Sequence, residues 1–493
     1  MRIAFSVFKA LTRSSVRRFE TALAAPEAAQ KQVLTELAKM VAKTEYGKNY
    51  GVESRSDFRE KLPLVEYGAL QPWVERQKAS AARVLTAEPP KFYEKTSGSS
   101  GPAKYIPYTK ALQKSFSRMF GLWAHDVLEN GPDLHSAKLF FSISPFFGEP
   151  EMTEAGTQVG LDDDSDYVSG WMNWFLKPFL AVPPSLSSLK DPEVFKRELV
   201  RALTKARELE VISVWNPSFL TMIVSYMRDN STELGLASDF EPKDVWPNLK
   251  LISCWASASA APLAERLKEE FPGVLIQGKG LLATEAPITM PWIPAQGFVP
   301  LLDEVFLEFE TQEGEMLLLH ELQEDEIYRV VVSQKGGLCR YRMGDLVKVT
   351  GFYHQTPCLD FVGRADAVSD LVGEKLSEIF VHETLQSLRD HLPDFATLVP
   401  VRKPHDHYVL LVSDTTTCVE ELESLLESRL GQAHHYQHAR HLGQLGPCRV
   451  VVAENASDLF MEEEQRRGLK LGDIKPRSLY HQMPSEALIE VLQ

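Results

Sequence analysis

The chain has 493 residues, 44% hydrophobic and 25% charged, with a formal net charge of −15. A chain of this length buries a large core and divides into more than one domain. Its acidic balance argues against a general binder of nucleic acid or anionic membrane, so an anionic ligand needs a local basic pocket.

The first twenty residues carry five basic side chains before Glu20, and Ile3, Val7 and Leu11 share one helical face. They predict a basic amphipathic helix packed on its own domain, with peripheral membrane contact as the alternative. Lys9 breaks the apolar run that a signal peptide needs, and no run in the chain is long enough to span a membrane. Val33, Leu34, Leu37, Met40 and Val41 predict a helix over 28–45.

The stretch from Thr96 through Ser97, Gly98, Ser99, Ser100 and Gly101 to Lys104 is too flexible for a strand and too polar for core. Glycines let a backbone turn aim successive N–H groups at one point, which suits phosphate oxygens. The hydroxyls of Thr96, Ser97, Ser99 and Ser100 add donors and Lys104 adds charge. An ordinary surface loop is the alternative. A nucleotide-triphosphatase P-loop is excluded, because the Gly-Lys-[Ser/Thr] step is missing. Thr109 is a good N-cap for a helix over 110–128, and a helix beginning beside such a loop favours anions.

Residues 137–143 read as a buried strand and 145–170 as an acidic loop. The aromatic run 171–180 is either core or the wall of an apolar pocket, in which Trp171, Met172, Trp174 and Phe175 are the candidates to hold an apolar substrate. Strands at 211–214, 249–254 and 274–277 alternate with helices, which predicts a largely parallel sheet with ligands at the carboxyl ends of its strands. Trp255, Ser257 and Ala258 follow one such strand. Leu281, Ala283, Thr284 and Glu285 follow the next, and the hydroxyl and carboxylate of the last two suit phosphate and magnesium.

Strands at 305–309, 315–319, 328–332 and 346–349 predict a β-rich subdomain, with Asp345 before the last as a ribose acceptor. A common Gly-Asp turn is the alternative there. The pattern restarts after Gly363, Arg364, Ala365 and Asp366. This divides the chain into a domain at 1–362, a hinge at 363–366 and a small α+β domain at 367–493. His434, His435, His438 and His441 cluster without a carboxylate or cysteine beside them, so they make a poor metal site. The five scattered cysteines, with no CxxC pair, point to a reducing compartment such as the cytoplasm and away from zinc.

Five motifs in one order resemble those of the adenylate-forming superfamily of acyl-CoA ligases and luciferases. Thr96–Lys104 resembles its phosphate loop and Ser257–Leu263 its adenine-side segment. Leu281–Glu285, Tyr341–Asp345 and Gly363–Asp366 resemble its remaining nucleotide and hinge motifs. Over nearly the whole chain TEYGKNYG, FREKLPLVEYGALQPWVER, GKGLLATE and the tail from HLGQLGPCRVVV to RRGLKLGDIKPRSL are similar to the auxin-responsive acyl-acid amido synthetases of plants and their bacterial relatives. The resemblance implies an α/β fold, in which a large N-terminal adenylate-forming domain carries a small α+β C-terminal domain. It implies a carboxylic acid, ATP and Mg2+ reacting to acyl-AMP and pyrophosphate, then transfer of the acyl group to an amine, usually an amino acid.

By the same resemblance Ser97–Gly101 hold the β- and γ-phosphates, Thr284 the α-phosphate, Glu285 magnesium and Asp345 the ribose with support from Arg364. Lys475 is the adenylation lysine. Leu281 stands where the family has a tyrosine against adenine. The acyl-substrate residues do not carry over. An acyl-CoA ligase using the same adenylate and an inactive nucleotide-binding protein are the alternatives.

Overall fold

The computed structural model describes the chain except at 1, 97–103, 137, 142–150, 161–176, 184, 187, 188, 190, 366, 394, 403, 404, 416, 468, 470–473, 476, 482 and 493. The phosphate-loop residues Ser97–Gly101 and the aromatic candidates Trp171, Met172, Trp174 and Phe175 therefore lie outside the described residues.

The N-terminal helix, Arg2–Ala24, packs on its own domain, but not by the predicted face. Ile3 and Leu11 are 81% and 66% exposed, whereas Phe8, Thr12, Phe19 and Leu23 are buried. Phe8 meets Phe120, Ala124 and Leu128 of the helix Lys110–Asn130, and Phe5 stacks on Phe179. Two apolar stripes compete on this helix, and the one carrying aromatic rings removes more surface from water. The helix Pro26–Val41 buries Val33, Leu34, Leu37 and Val41 at the predicted spacing. Thr109 caps Lys110–Asn130, its hydroxyl accepting from the Leu112 amide at 3.2 Å.

Strands β1 (Phe92–Thr96) and β2 (Lys104–Tyr108) pair antiparallel with Thr96 opposite Lys104. β3 (Lys138–Phe141) belongs to another sheet, whereas the two-residue strands β4 (Glu151–Met152) and β5 (Gln158–Val159) extend the first in the order β2-β1-β5-β4. Those two interrupt a segment expected to be loop.

The predicted parallel sheet is present. β6 (Leu209–Ser213), β7 (Leu251–Cys254) and β8 (Leu275–Gly278) join β3 in the order β3-β6-β7-β8, every pair parallel. β6 and β7 are buried along their whole length, which is why they read as continuous apolar runs. The helices Pro192–Lys205, Pro217–Asp229 and Ala261–Glu270 pack their apolar residues into one core with this sheet, while Val127 and Leu134 meet Val211 and Leu251 separately.

β9 (Thr289–Trp292) and β10 (Gly297–Pro300) form a hairpin. The β-rich subdomain is an antiparallel sheet of β11 (Phe306–Glu310), β12 (Met316–Leu318), β13 (Ile327–Ser333), β14 (Tyr341–Tyr353) and β15 (Thr356–Arg364), in the order β12-β11-β13-β14-β15. Two boundaries differ from expectation. Asp345 lies inside β14 rather than in a turn, and Gly363 and Arg364 continue β15, pairing with Leu346 and Asp345. Gly344 has φ +86° and lies where the β13–β14 register shifts, so a bulge rather than a loop aims this segment.

Beyond β15, β16 (Val368–Ser369) pairs with β17 (Leu376–Ser377), and β18 (Ala396–Val401), β19 (His407–Val412) and β20 (Arg449–Val452) form the sheet of the C-terminal domain. Leu398, Tyr408, Leu410 and Val412 face one apolar cluster and Val399, Val401, Val409 and Leu411 another, so this sheet is covered on both sides. β18 carries Pro400, an unfavourable strand signal that an edge position tolerates.

Candidate active site

The carboxyl ends of the parallel strands supply one wall of a cleft. Phe141 ends β3, Trp215 follows β6, Trp255 follows β7 and Lys279 follows β8. The Trp255 amide donates to the Trp215 carbonyl at 2.8 Å, and the two indoles lie 6.0 Å apart between centroids. Open parallel sheets place ligands at this end because successive strands leave it in different directions and part the loops.

A second wall comes from the segment after β8. The Leu281 amide donates to Thr289 Oγ1 at 2.7 Å, and Ala283 and Ala286 exchange backbone hydrogen bonds, so Thr284 and Glu285 form the tip of a tight turn. Tyr108 Oη donates to the Thr284 carbonyl at 2.6 Å and Gln334 Nε2 to the Glu285 carbonyl at 3.0 Å. The turn is thus braced through its backbone while both side chains stay half-buried. Ala283 is half-buried against the main core, and the Leu281 side chain is buried within it, only 7% exposed.

The third wall is the β14–β15 pair. Asp345 is 7% exposed and Arg364 Nη1 stands 3.8 Å from its Oδ1, with Arg364 Nη2 donating to the Met343 carbonyl at 3.1 Å. Cross-strand pairing in the ladder sets this juxtaposition. Lys104 Nζ lies 3.3 Å from the Tyr341 hydroxyl. Burial raises the Tyr341 pKa and the charges of Glu285 and Asp345 push it further, which places that phenol in the field of both acids. On the adenine-side segment Ser257 Oγ donates to Asp360 Oδ1 of β15 at 2.6 Å, and Ala258 adopts φ +49°. Burial raises the Asp360 pKa against that hydrogen bond.

The C-terminal domain reaches into this cleft. Asn216 Nδ2 of the large domain donates to the Ile474 carbonyl, while its Oδ1 accepts from Ser218 and caps the helix Pro217–Asp229. The next residue is Lys475, whose ammonium lies 4.8 Å from the Trp255 ring centroid. Lys475 keeps solvent contact through the cleft, yet the surrounding protein desolvates it enough to lower its pKa. The carboxylates of Asp345 and Glu285 oppose that shift, and Arg364 and Arg477 reinforce it. Glu378, at the start of the helix Glu378–Ser387, has its pKa raised by burial and restrained by Arg477, Arg364 and Lys475.

The structure therefore brings Thr284, Glu285, Asp345, Arg364, Trp255 and Lys475 to one cleft, with Lys104 on its rim beside Tyr341. Sequence reasoning passed over three residues there: Asn216, Trp215 and Lys279. Each lies just beyond a strand of the parallel sheet, and that position was the available signal.

The comparisons agree along the chain. GH3 family models match in order: the N-terminal domain at 15–237, the central domain at 298–364 and the C-terminal domain at 378–483. A 4-substituted benzoates-glutamate ligase of Arabidopsis thaliana is 22% identical, covering 91% of this chain and 92% of the relative. An indole-3-acetic acid-amido synthetase of the same plant is also 22% identical, over 90% and 88%. Among solved structures an acyl acid amido synthetase, AtGH3.15 in complex with 2,4-DB, matches with a TM-score of 0.83 at 18% identity, over 98% of this chain and 95% of that one. A 2-hydroxyisobutyryl-CoA ligase in the postadenylation state matches with a TM-score of 0.58 at 14% identity, over 95% and 92%. The fold is thus that of the adenylate-forming ligases, with a separate C-terminal domain, and the chain belongs to the GH3 family, its place being among amido synthetases, which are ligases.

Proposed function

We propose that the protein is an ATP-dependent acyl-acid amido synthetase. It joins a small carboxylic acid to ATP, releasing pyrophosphate, and then passes the acyl group from acyl-AMP to an amine, with an amino acid as the acceptor. The observation that carries this reading is Lys475, which the C-terminal domain delivers over Trp255 into the field of Asp345 and Glu285.

The chemistry explains the need. A carboxylate is a poor acyl donor, because oxide would have to leave; adenylation makes AMP the leaving group. Both reactants are anionic, so cations and N–H donors must offset the charge that builds at the α-phosphorus. Lys475 bridges the incoming carboxylate and the α-phosphate, with Thr284 as a hydroxyl donor to the same phosphate. Asp345 holds the ribose hydroxyls with Arg364 fixing its carboxylate, and Ser257, Ala258, Leu281 and Ala283 belong to the adenine side. Thr96–Gly101 and Lys104 cradle the outer phosphates.

Glu285 would hold a magnesium ion brought by the nucleotide, and that ion would offset charge on the phosphates. The residues fit it in that form: Glu285 offers one half-buried carboxylate at the turn tip, and Mg2+ binds through one or two carboxylates plus phosphate and water. Among the described residues no group of three or more His, Cys, Asp or Glu could form a protein cage for a metal. In this reading the units are 1–362 and 367–493 with a hinge at 363–366, and the small unit turns between the half-reactions so that one cleft serves both.

The test is pyrophosphate exchange across a carboxylic-acid library, followed by product analysis with either mixed amino acids or CoA as acceptor. Exchange with AMP as the nucleotide product, and amide formation in the amino-acid arm, are expected. Release of ADP and phosphate with every active acid refutes adenylation, and thioester formation alone replaces the amido reading with the acyl-CoA ligase.

A further inference from the structure

Lys279 plays no part in the chemistry above, yet it stands in the same cleft. Its side chain runs from the end of β8 across the sheet, and Nζ donates to Ser213 Oγ of β6 at 2.7 Å and lies 3.3 Å from Ser253 Oγ of β7. Two aromatic faces close the ammonium in, with the Trp215 centroid at 5.1 Å and that of Phe141 at 5.9 Å. Desolvation lowers its pKa to about 8, and no carboxylate pairs with it among the described residues. The residue is nonetheless only half-buried.

A desolvated cation with no counter-ion among the described residues is costly to keep. Two serine hydroxyls supply oxygen but no charge. Gly280, with φ +71° and no room for a Cβ beside Thr289 Oγ1, lets the backbone turn just after it, and the two serine contacts hold the ammonium in place. The cleft thus has two ammonium poles: Lys475 over Trp255 and Lys279 over Trp215, with the two indole centroids 6.0 Å apart.

We propose that Lys279 is the recognition site for a second anionic group on the acyl acid, so that the substrate class is dicarboxylic acids. One carboxylate meets Lys475 and is activated. The body of the molecule lies against Trp255 and Trp215, and the far carboxylate pairs with Lys279, oriented by Ser213 and Ser253. This assignment rests on the acyl-adenylate reading.

The test compares α,ω-diacids from succinate to sebacate with the matching monoacids from butyrate to decanoate, by pyrophosphate exchange without any amine. The wild-type protein is expected to prefer at least one diacid over its monoacid by about a hundredfold or more in kcat/KM, because a polar site rejects an analogue that leaves its group unpaired. Lys279→Met should reverse that order, losing the diacid and gaining the monoacid, and the gain also certifies a folded active site. Wild-type preference for monoacids throughout overturns the inference while leaving adenylation intact. Equal loss for both series in Lys279→Met assigns the lysine to bracing the strands instead. An unchanged acid ranking with a raised KM for the amino acid moves the site to the acceptor and also overturns it. Absence of exchange with every acid, here and in the wider library, sinks the acyl-adenylate reading itself and this inference with it. Should Lys279→Met fail to fold, the wild-type ranking decides alone.

Discussion

Two lysines at one cleft make opposite use of the same environment. In the proposed reaction Lys475 meets charge that develops only as acid and ATP come together. Lys475→Ala should slow acyl-AMP formation about a hundredfold to a thousandfold, the usual cost of one such contact, while sparing aminolysis of acyl-AMP supplied ready-made. Rapid-quench measurement of the two half-reactions checks this, and equal loss in both would give the residue a shared or structural role. Lys279 predicts a stability effect instead. Its pKa is lowered to about 8 from the ordinary 10.5. Below pH 8 both folded and unfolded chains hold the proton, so the full cost of the desolvated charge is present. Between about 8 and 10.5 the folded chain sheds the proton more readily than the unfolded one, and the cost fades. The ligand-free Lys279→Met protein should therefore melt above the wild type at pH 7, with the gap closing towards pH 10. A gap independent of pH would mean that packing, not charge, sets it. Neither residue's partners could be read locally: Lys279 sat inside a recognised motif, but its serines lie on two other strands.

At the scale of elements the junction after β15 is the most constrained. Gly363 has φ +146°, and a Cβ there would stand 2.8 Å from Ile379 Cγ1 on the first long helix of the C-terminal domain. Gly363→Ala should cost about 1–3 kcal/mol of backbone strain plus the clash. Adding Ile379→Ala should recover the steric part and leave the φ part, so denaturation midpoints of the two singles and the double separate them. Full recovery by Ile379→Ala would show that the backbone conformation carries no cost. The glycine was visible in the sequence as a hinge motif, but its pairing within β15 was not. Ladder partners come from a distant strand, and a Gly-containing segment looks like a linker until one is supplied.

For the whole molecule the decisive contact is between domains. Asn216 does two jobs: Oδ1 caps a helix of the large domain, and Nδ2 donates to the Ile474 carbonyl, next to Lys475. Asn216→Asp keeps the cap acceptor and turns the docking donor into a carboxylate facing a carbonyl. The expected result is slower adenylation, by about tenfold for one charge-opposed contact, with aminolysis of supplied acyl-AMP unchanged. A fall in both half-reactions together would tie Asn216 to the large domain alone.

The sequence by itself determined what is local. Apolar runs became the buried strands β6 and β7 and Thr109 became a cap, because side-chain pattern and backbone preference act over a few residues, while five ordered motifs carried the resemblance to the family. The tertiary structure decided what depends on distant partners. It chose which stripe of the first helix to bury, since Phe120 and Phe179 offered aromatic surface to one face only. It also carried Lys475 from a polar tail to Trp255, and set Lys279 among serines of neighbouring strands. Those placements follow from packing and sheet register, to which no short stretch of sequence has access.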